Sequence, residues 1–282
     1  MPELPEVETL RRDLDHEVSG RLITGVRVSG ARTVRRQRPE VLAARMKGTT
    51  VAGVGRRGKY LLFSLAKQVD AAHLRVLVVH LGMSGQLSLA SDAQVPDRPH
   101  TRLRVSFSDG AELRFVDPRT FGECWVSTVS DEGVVPELAH LGFEPLGPGG
   151  ERLLSEGLRR TRRQVKPLLM DQRFVVGIGN IYSDEMLHGA RICWDRPAAS
   201  LVPDEVDLLY RTMVSTLTRA IELRGSSLAD AQYRDLSGEV GAFQSEHKVY
   251  ARAGQPCHTC GTPIVRVALG GRGTHFCPCC QT

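Results

Sequence analysis

Four cysteines near the end of the chain place the tightest constraint on its fold. They form two Cys-x2-Cys pairs, Cys257 with Cys260 and Cys277 with Cys280, separated by the 16 residues 261–276. Each pair supplies two thiolates from one tight turn, and two such turns complete a tetrahedral zinc site. Because all four ligands are protein thiolates, no position stays open for water and the metal is expected to be structural. The sequence therefore predicts one Zn²⁺ ion in a small zinc ribbon.

Two alternatives to this zinc site remain open in the sequence. Cys279 offers a different fourth ligand, but the two-residue spacing within both pairs favours Cys280. Disulfide bonds would suit a secreted protein, whereas this chain lacks secretory features, so zinc binding is the favoured prediction.

The length and composition bound the class of protein. A chain of 282 residues is long enough for two domains, each with its own core. There is no run of 18 apolar residues, and the first ten residues are acidic rather than basic. Neither a membrane span nor a signal peptide is therefore expected, and the predicted location is the cytoplasm.

The distribution of charge says more than the net charge of +5. Residues 32–59 carry nine basic side chains and one acidic side chain, and a second basic cluster spans residues 159–166. A third segment, residues 247–282, has four basic residues and no acidic one. Three basic segments together with a zinc ribbon predict nucleic-acid binding.

The start of the chain offers a nucleophile. Removal of Met1 would expose the secondary amine of Pro2, with the carboxylate of Glu3 beside it. Such an amine can attack a carbonyl-like carbon and form an iminium, and its ordinary pKa is about 7.7–8.0. A helix that begins near Pro5 would lower that pKa further, because its N-terminal end is positive. The alternative is that Glu3 only caps a helix in a chain that happens to begin Met-Pro.

The hydrophobic pattern divides the chain into halves. Through residue 128 it predicts strands at 22–28, 49–54, 60–65, 74–81, 103–107 and 112–116, hence a β-sandwich or barrel. The segment 166–187 reads as helix, turn and helix, with Asn180 at the start of the second helix, and a further helix opens at residue 203. The predicted boundaries are 1–130 for the strand-rich domain, 131–150 for a linker, 151–244 for the helical domain and 245–282 for the zinc finger.

Segments spread along the whole chain resemble the formamidopyrimidine-DNA glycosylase family. They are residues 2–9, 57–61, 80–85, 117–122 and 177–185, followed by the four-cysteine ribbon. The resemblance implies an α+β fold, with an N-terminal β-sandwich flanked by helices, a C-terminal helix-two-turns-helix module and a zinc finger. It also implies that DNA lies in the cleft between the domains.

The same resemblance implies an activity. The protein would be a base-excision repair enzyme that removes oxidised purines, such as 8-oxoguanine and formamidopyrimidines, from duplex DNA. It would also cleave the strand at the resulting abasic site by β,δ-elimination. Its partner would be damaged double-stranded DNA, and it would act as a monomer in a bacterial cytoplasm, associated with the nucleoid through DNA.

Catalytic roles follow from matching positions. Pro2 resembles the nucleophile that attacks C1′, Glu3 resembles the group that moves protons there, and Lys59 resembles a lysine that contacts phosphate near the lesion. Glu6 matches a further position near the lesion. The segment 225–246 corresponds to the loop that closes over the extruded base.

DNA-binding roles are implied for seven further residues. Met83, Arg119 and Phe121 match side chains that fill the hole left by the extruded base, and Asn180 and Arg272 match a phosphate clamp. His100 and Arg162 fall where the family places additional DNA contacts.

Five of these DNA-binding residues have a plainer alternative. Met83 and Phe121 could be core residues, and Asn180 could be an ordinary helix N-cap. His100 and Arg162 could lie on a solvated surface. Thr120 stands where some relatives carry a second basic residue.

Two other functions remain as alternatives. An endonuclease VIII-like glycosylase for oxidised pyrimidines shares the Pro-Glu start and the zinc finger, but Leu4 in place of glycine favours the purine-specific enzyme. A non-catalytic zinc-ribbon DNA-binding protein is the second alternative. The presence of Pro2, Glu3 and Lys59 argues against it.

Overall fold

The chain forms two compact units, each made of two stretches of sequence. The structure is a computed structural model that describes residues 1–67, 74–130, 133–228 and 233–282. The first unit comprises Met1–Ala139 and Arg224–Gly241, and the second comprises His140–Leu223 and Ala242–Thr282. Residues 131–132 of the predicted linker and 229–232 of the predicted closing loop lie outside the described residues.

The first unit contains two antiparallel sheets of four strands. Its helices are α1 (Leu4–Val18) and α2 (Pro39–Met46). Its strands are β1 (Ile23–Val28), β2 (Thr50–Arg57), β3 (Tyr60–Ala66), β4 (Arg75–His80), β5 (Gln86–Ala90), β6 (Thr101–Phe107), β7 (Glu112–Val116) and β8 (Glu123–Thr128). The strand orders are β1-β6-β7-β5 and β2-β3-β4-β8, so each sheet takes strands from across the unit.

One apolar core joins both sheets to the first helix. Buried and partly exposed residues alternate along β3 and β6, as expected for strands that present one face to a core. Helix α1 contributes Val7, Leu10 and Leu14 to the same cluster. This sandwich-like arrangement confirms the predicted fold class. Tyr233 and Leu236 also belong to this core, although they lie more than a hundred positions beyond β8 in the sequence.

The second unit is helical and ends in a β-hairpin. Its helices are α3 (Gly150–Arg159), α4 (Val165–Leu169), α5 (Asn180–Gly189) and α6 (Pro203–Glu222), and its strands are β9 (Val265–Leu269) and β10 (Arg272–Phe276). The turn between α4 and α5 uses Gly177 at φ 86°, a left-handed conformation that glycine adopts at little steric cost.

Most of the elements predicted from the sequence are present at their expected places. Helices α2 and α3 and strands β5, β8, β9 and β10 form without having been predicted individually. Among the described residues, no helix is long and apolar enough to span a membrane.

Candidate active site and nucleic-acid interface

The N-terminal end of α1 is held by a buried carboxylate. Glu3 is the N-cap residue, and its backbone N–H donates to Oε2 of Glu6 at 2.8 Å. The other oxygen of Glu6, Oε1, accepts from the backbone N–H of Ser226 at 2.7 Å. Glu3 and Glu6 are buried, whereas Met1 is half exposed and thus accessible to removal.

The β2–β3 hairpin lies along α1 and brings Lys59 toward the same end of the helix. The backbone N–H of Val54 donates to Oδ1 of Asp15 at 2.8 Å, and Nε of Arg56 donates to Oε2 of Glu8 at 3.1 Å. Later residues of β2 therefore contact earlier residues of α1. The tip of the hairpin lies on the side of the first turn of α1. Lys59 is at that tip, between β2 and β3, so the hairpin directs it toward the end of α1 at which Pro2 and Glu3 lie.

Two side chains beside this hairpin, Glu8 and His80, have shifted pKa values. Although burial opposes the change, hydrogen bonds from Arg12 and Arg56 lower the pKa of Glu8. Burial, aided by the positive charge of Lys59, lowers the pKa of His80 to about 4. The ring centroids of His80 and Tyr60 lie 4.7 Å apart with the ring planes tilted by 38°, and His80 is neutral at physiological pH.

Two loops of the first unit are fixed together by Asp117. Its Oδ1 accepts from the hydroxyl of Ser84 at 2.5 Å, and its Oδ2 accepts from the backbone N–H of Gly122 at 2.7 Å. Gly82, at φ 62°, lies so near the second loop that a Cβ atom there would be 2.5 Å from the carbonyl carbon of Phe121. The carboxylate of Asp117 is fully buried, so it defines the shape of both loops.

These loops present apolar side chains to solvent. Met83 is 41% exposed and Phe121 is 52% exposed, so the alternative that they are core residues is wrong. The guanidinium of Arg119 lies 5.4 Å from the ring centroid of Phe121. His100 is exposed beside the same loop, and its carbonyl accepts from the backbone N–H of Asp117 at 3.0 Å.

In the second unit, a buried lysine positions Asn180. The Nζ atom of Lys166 lies 2.7 Å from Oδ1 of Asp184, and it donates to Oδ1 of Asn180 at 2.9 Å and to Oγ1 of Thr274 at 2.8 Å. The amide of Asn180 donates in turn to the carbonyl of Gly273 at 2.8 Å. Gly179 is the N-cap residue of α5, so the alternative that Asn180 is the N-cap is wrong.

Arg272 stands exposed at the tip of the β9–β10 hairpin. The two turn residues, Gly270 and Gly271, have φ values of 54° and 78°, the combination that a tight two-residue hairpin requires. A surface pocket of about 460 Å³ is lined by Asn180, Arg272 and Arg163 among others. Arg162 is exposed but does not line this pocket. Its neighbour Arg163 does.

The four predicted zinc ligands converge. The Sγ atoms of Cys257, Cys260, Cys277 and Cys280 all lie within 4.8 Å of one another. The distance is 3.9 Å from Cys257 to Cys280 and 3.4 Å from Cys260 to Cys277, which bracket the separation of about 3.8 Å set by tetrahedral Zn–S bonds of about 2.3 Å. The donor set therefore fits one structural zinc ion. Cys279 is exposed and outside this cluster, as predicted.

Three residues of the site were not predicted as such. Asp117 lies in segment 117–122, which resembles the family, but the sequence predicts no role for it. Lys166 is predicted only as part of the basic cluster 159–166. Ser226 carries no sequence signal because it contributes its backbone N–H.

Comparisons with family models cover most of the chain. The model described as the formamidopyrimidine-DNA glycosylase N-terminal domain matches residues 1–124. The formamidopyrimidine-DNA glycosylase H2TH domain matches residues 141–232. A zinc finger found in FPG and IleRS matches residues 254–282.

Whole proteins match equally well. Formamidopyrimidine-DNA glycosylase from Geobacillus kaustophilus is 46% identical, and the alignment covers 100% of both chains. The protein of that name from Symbiobacterium thermophilum is 43% identical over 100% of this chain and 89% of its own length.

Solved structures agree with these matches. The complex between Lactococcus lactis Fpg and an abasic site containing DNA has a TM-score of 0.89 and 35% identity, with 99% of each chain covered. The MutM (FPG) protein from Thermus thermophilus has a TM-score of 0.86 and 41% identity, with 99% of this chain and 98% of that chain covered.

Proposed function

The chain belongs to the formamidopyrimidine-DNA glycosylase family, and on that premise we propose how its own residues perform the reaction. It is a DNA glycosylase of base-excision repair that acts on oxidised purines. The observation that carries the assignment of residues is the direction of the β2–β3 hairpin, which carries Lys59 toward the end of α1 at which Pro2 and Glu3 lie. In this proposal Pro2 is the nucleophile, Glu3 moves protons and Lys59 contacts phosphate beside the lesion.

The first step needs a neutral amine. Removal of Met1 converts the Pro2 nitrogen from an amide into a secondary amine at the start of α1. The positive end of the helix disfavours the protonated form of that amine, which keeps it nucleophilic near neutral pH. The positive charge of Lys59, at the tip of the neighbouring hairpin, acts in the same direction.

Attack by Pro2 at C1′ forms an N–C bond and breaks the glycosidic bond, and the base leaves with a proton. Ring opening of the sugar gives an iminium, an electron sink that makes the C2′ proton acidic. Loss of that proton, and then of a second, expels the 3′ and 5′ phosphates in turn. Water then hydrolyses the remaining iminium and frees Pro2.

This chemistry requires that the damaged nucleotide leave the helix stack, at a cost of a few kcal/mol. Met83, Arg119 and Phe121 are the side chains proposed to fill the space it leaves. The exposure of Met83 and Phe121 supports this role, since apolar wedges must be free to enter the duplex. The buried Asp117 fixes the loops that carry them.

The second unit is proposed to hold the DNA backbone. Asn180 and Arg272 line one pocket and offer an amide and a guanidinium to a phosphate. His100 and Arg162 are proposed as further backbone contacts. The zinc ion bound by the four cysteines would supply no chemistry, because its thiolate ligands leave no position for water.

Several broader features are part of the same proposal. The functional divisions in this proposal are a catalytic β-sandwich domain (1–130), a linker (131–150), a helical DNA-binding domain (151–244) and a zinc finger (245–282). The protein would work as a monomer in the cytoplasm, associated with the nucleoid through DNA. The bacterial origin of its relatives supports a nucleoid rather than a nucleus as the site of its DNA.

Borohydride trapping tests the proposal directly. Reduction of the Pro2 iminium would link the protein covalently to DNA that contains 8-oxoguanine or an abasic site. An adduct whose N-terminal peptide carries the sugar fragment on Pro2 is the expected result. Binding without any adduct would support the non-catalytic alternative, and a strong preference for oxidised pyrimidines would support the endonuclease VIII-like one.

A further inference from the structure

Helix α5 carries three polar side chains at intervals of four residues, Asn180, Asp184 and His188. Residues four apart lie on the same face of a helix, and all three side chains contact the zinc ribbon. The amide of Asn180 donates to the carbonyl of Gly273 at 2.8 Å, and Oδ2 of Asp184 accepts from the backbone N–H of His275 at 2.9 Å. The third side chain, His188, reaches a predicted zinc ligand.

The imidazole of His188 lies against Cys257. Its Nε2 atom is 3.5 Å from the Sγ atom of Cys257, which is a hydrogen-bonding distance for a sulfur acceptor. His188 is 5% exposed and Cys257 is 3% exposed, so both groups are shielded from water. A hydrogen bond is stronger in such an environment than at the surface of a protein.

His188 contacts a zinc ligand without being one. Among the residues that the structure describes, the atoms that converge on the metal position are the Sγ atoms of the four cysteines, and no imidazole nitrogen belongs to that group. Four thiolates already complete a tetrahedral zinc site. His188 therefore acts on the metal through Cys257.

The direction of this hydrogen bond follows from the chemistry of the two groups. A zinc-bound thiolate carries no proton, so Sγ of Cys257 accepts and Nε2 of His188 donates. The other ring nitrogen, Nδ1, is buried and has no hydrogen-bond partner in the described part of the chain. A proton on Nδ1 would be buried without an acceptor, which is unfavourable. The neutral ring with its proton on Nε2 avoids this cost.

Other hydrogen bonds to the thiolates come from the ribbon itself. The backbone N–H of Thr259 donates to Sγ of Cys257 at 3.4 Å, and that of Cys280 donates to Sγ of Cys277 at 3.4 Å. His188 instead reaches the site from a helix outside the ribbon. Partners of this kind orient a metal ligand, and the loss of one typically lowers metal affinity by about 10–100-fold.

We propose that His188 is a positioning residue for the structural zinc, which it retains by donating a hydrogen bond from Nε2 to the zinc-bound thiolate of Cys257. The inference does not depend on the proposed function. It assigns helix α5 a second role, because the helix that carries Asn180 then also stabilises the metal site. A residue that only filled space could be replaced by an apolar side chain without any effect on the zinc–sulfur bonds.

The first test measures how fast full-length protein transfers its zinc to the chelator 4-(2-pyridylazo)resorcinol. His188→Phe and His188→Leu remove the donor and differ in shape, so the comparison does not depend on whether one ring fits. We expect both to release zinc about tenfold faster than wild type, the lower end of the effect of losing such a partner. His188→Gln keeps an N–H donor near the position of Nε2 and should release zinc at close to the wild-type rate.

The second test replaces zinc with Co²⁺ and records the sulfur-to-cobalt charge-transfer absorption of the same proteins. A hydrogen bond stabilises the sulfur lone pair, so its loss should move this absorption to longer wavelength in His188→Phe and His188→Leu but not in His188→Gln. A change in packing alone would not shift it. His140→Phe is the matched control, since His140 is an exposed histidine of the same unit, and it should alter neither readout.

Each outcome decides for or against the donor role. Wild-type release rates in His188→Phe and His188→Leu would overturn it. Faster release with an unshifted cobalt spectrum, or an equal defect in His188→Gln, would also overturn it, because the imidazole would then act through its shape. If the two apolar variants bind no metal, normal binding by His188→Gln supports the proposal, whereas loss of metal in all three variants contradicts it.

Discussion

The buried carboxylate of Glu6 satisfies two backbone N–H groups from distant parts of the sequence, those of Glu3 and Ser226. Each would cost about 1–3 kcal/mol if left buried without a partner. One side chain therefore holds both the start of α1 and the beginning of the segment Arg224–Gly241, which returns to the first unit. At the scale of single residues, the backbone next to Pro2 is therefore held by a hydrogen bond at Glu3.

Blocking that amine should abolish the chemistry without abolishing binding. Protein that retains Met1 keeps the Pro2 nitrogen as an amide, which cannot attack C1′. We expect it to bind lesion DNA but neither to cleave it nor to form an adduct. Intact-mass measurement identifies the retained Met1, and normal turnover by such protein would contradict the assignment of Pro2.

His80 should make the first unit less stable in acid. Its pKa is about 4 in the folded chain against an ordinary value of 6.5, so below pH 6.5 the unfolded chain binds a proton that the folded chain does not. Stability present above pH 6.5 is therefore lost as the pH falls toward 4, at about 1.4 kcal/mol per unit and about 3 kcal/mol in all.

The measurement compares wild type with His80→Gln by urea unfolding across this pH range. A Trp194→Phe background leaves Trp125, which packs 6.1 Å from Tyr60, to report on the first unit. The wild-type stability should fall more steeply than that of His80→Gln. Parallel curves for the two proteins would show that His80 titrates normally.

At the scale of elements, the start of α5 and the β9–β10 hairpin form one connected surface, which is the surface proposed to hold the DNA backbone. The amide of Asn180 donates to Gly273, and Lys166 bonds both Asn180 and Thr274. The hairpin that carries Arg272 is thus fixed relative to α5 by buried polar contacts rather than by apolar packing alone. The proposed phosphate contact of Arg272 can be tested separately from base recognition.

Arg272→Ala should weaken binding to damaged and undamaged duplexes alike, because a phosphate contact carries no sequence information. The slope of log K against log salt concentration should become shallower by about 0.9, the effect of one lost phosphate contact. Asn180→Ala should weaken binding with little change in slope, since Asn180 is neutral. A change in lesion preference with an unaltered slope for Arg272→Ala would contradict the clamp role.

The sequence predicted elements whose signals are local. The strands predicted at 60–65 and 103–107, the helix that begins near Pro5 and the cysteine pairs each have a signal within a short window, and all of them are present as predicted. The contacts of Arg224 with Asp13 and of Ser226 with Glu6 join residues about 200 positions apart. Neither periodicity nor spacing reports such pairings, which depend on the tertiary path of the chain.

At the scale of the whole molecule, the zinc ribbon is tied to the helical part of its own unit. The amide of Gln281 donates to the carbonyl of Ile192, and its Oε1 accepts from the backbone N–H of Cys277. The β10 residue Thr274 bonds Lys166. Loss of the metal should therefore disturb the Asn180–Arg272 surface as well as the ribbon.

Removing a zinc ligand should unfold the ribbon, because in such modules metal binding supplies much of the folding energy. Cys280→Ser is expected to lose zinc and to weaken DNA binding, whereas Cys279→Ser should keep one zinc ion per chain. Metal content is measured by mass spectrometry on both variants. The reverse pattern would identify Cys279 as the fourth ligand.

The return of Tyr233 and Leu236 to the first core has a consequence for biosynthesis. β8 is the last strand that contributes to this core. Tyr233 and Leu236, which also belong to the core, are synthesised only after the helices of the second unit. At about 5–20 residues per second, the ribosome needs about 5–20 s more to deliver the missing segment. During that interval the nascent chain carries an open apolar site on its first unit, where chaperones can bind until translation delivers the segment that closes it.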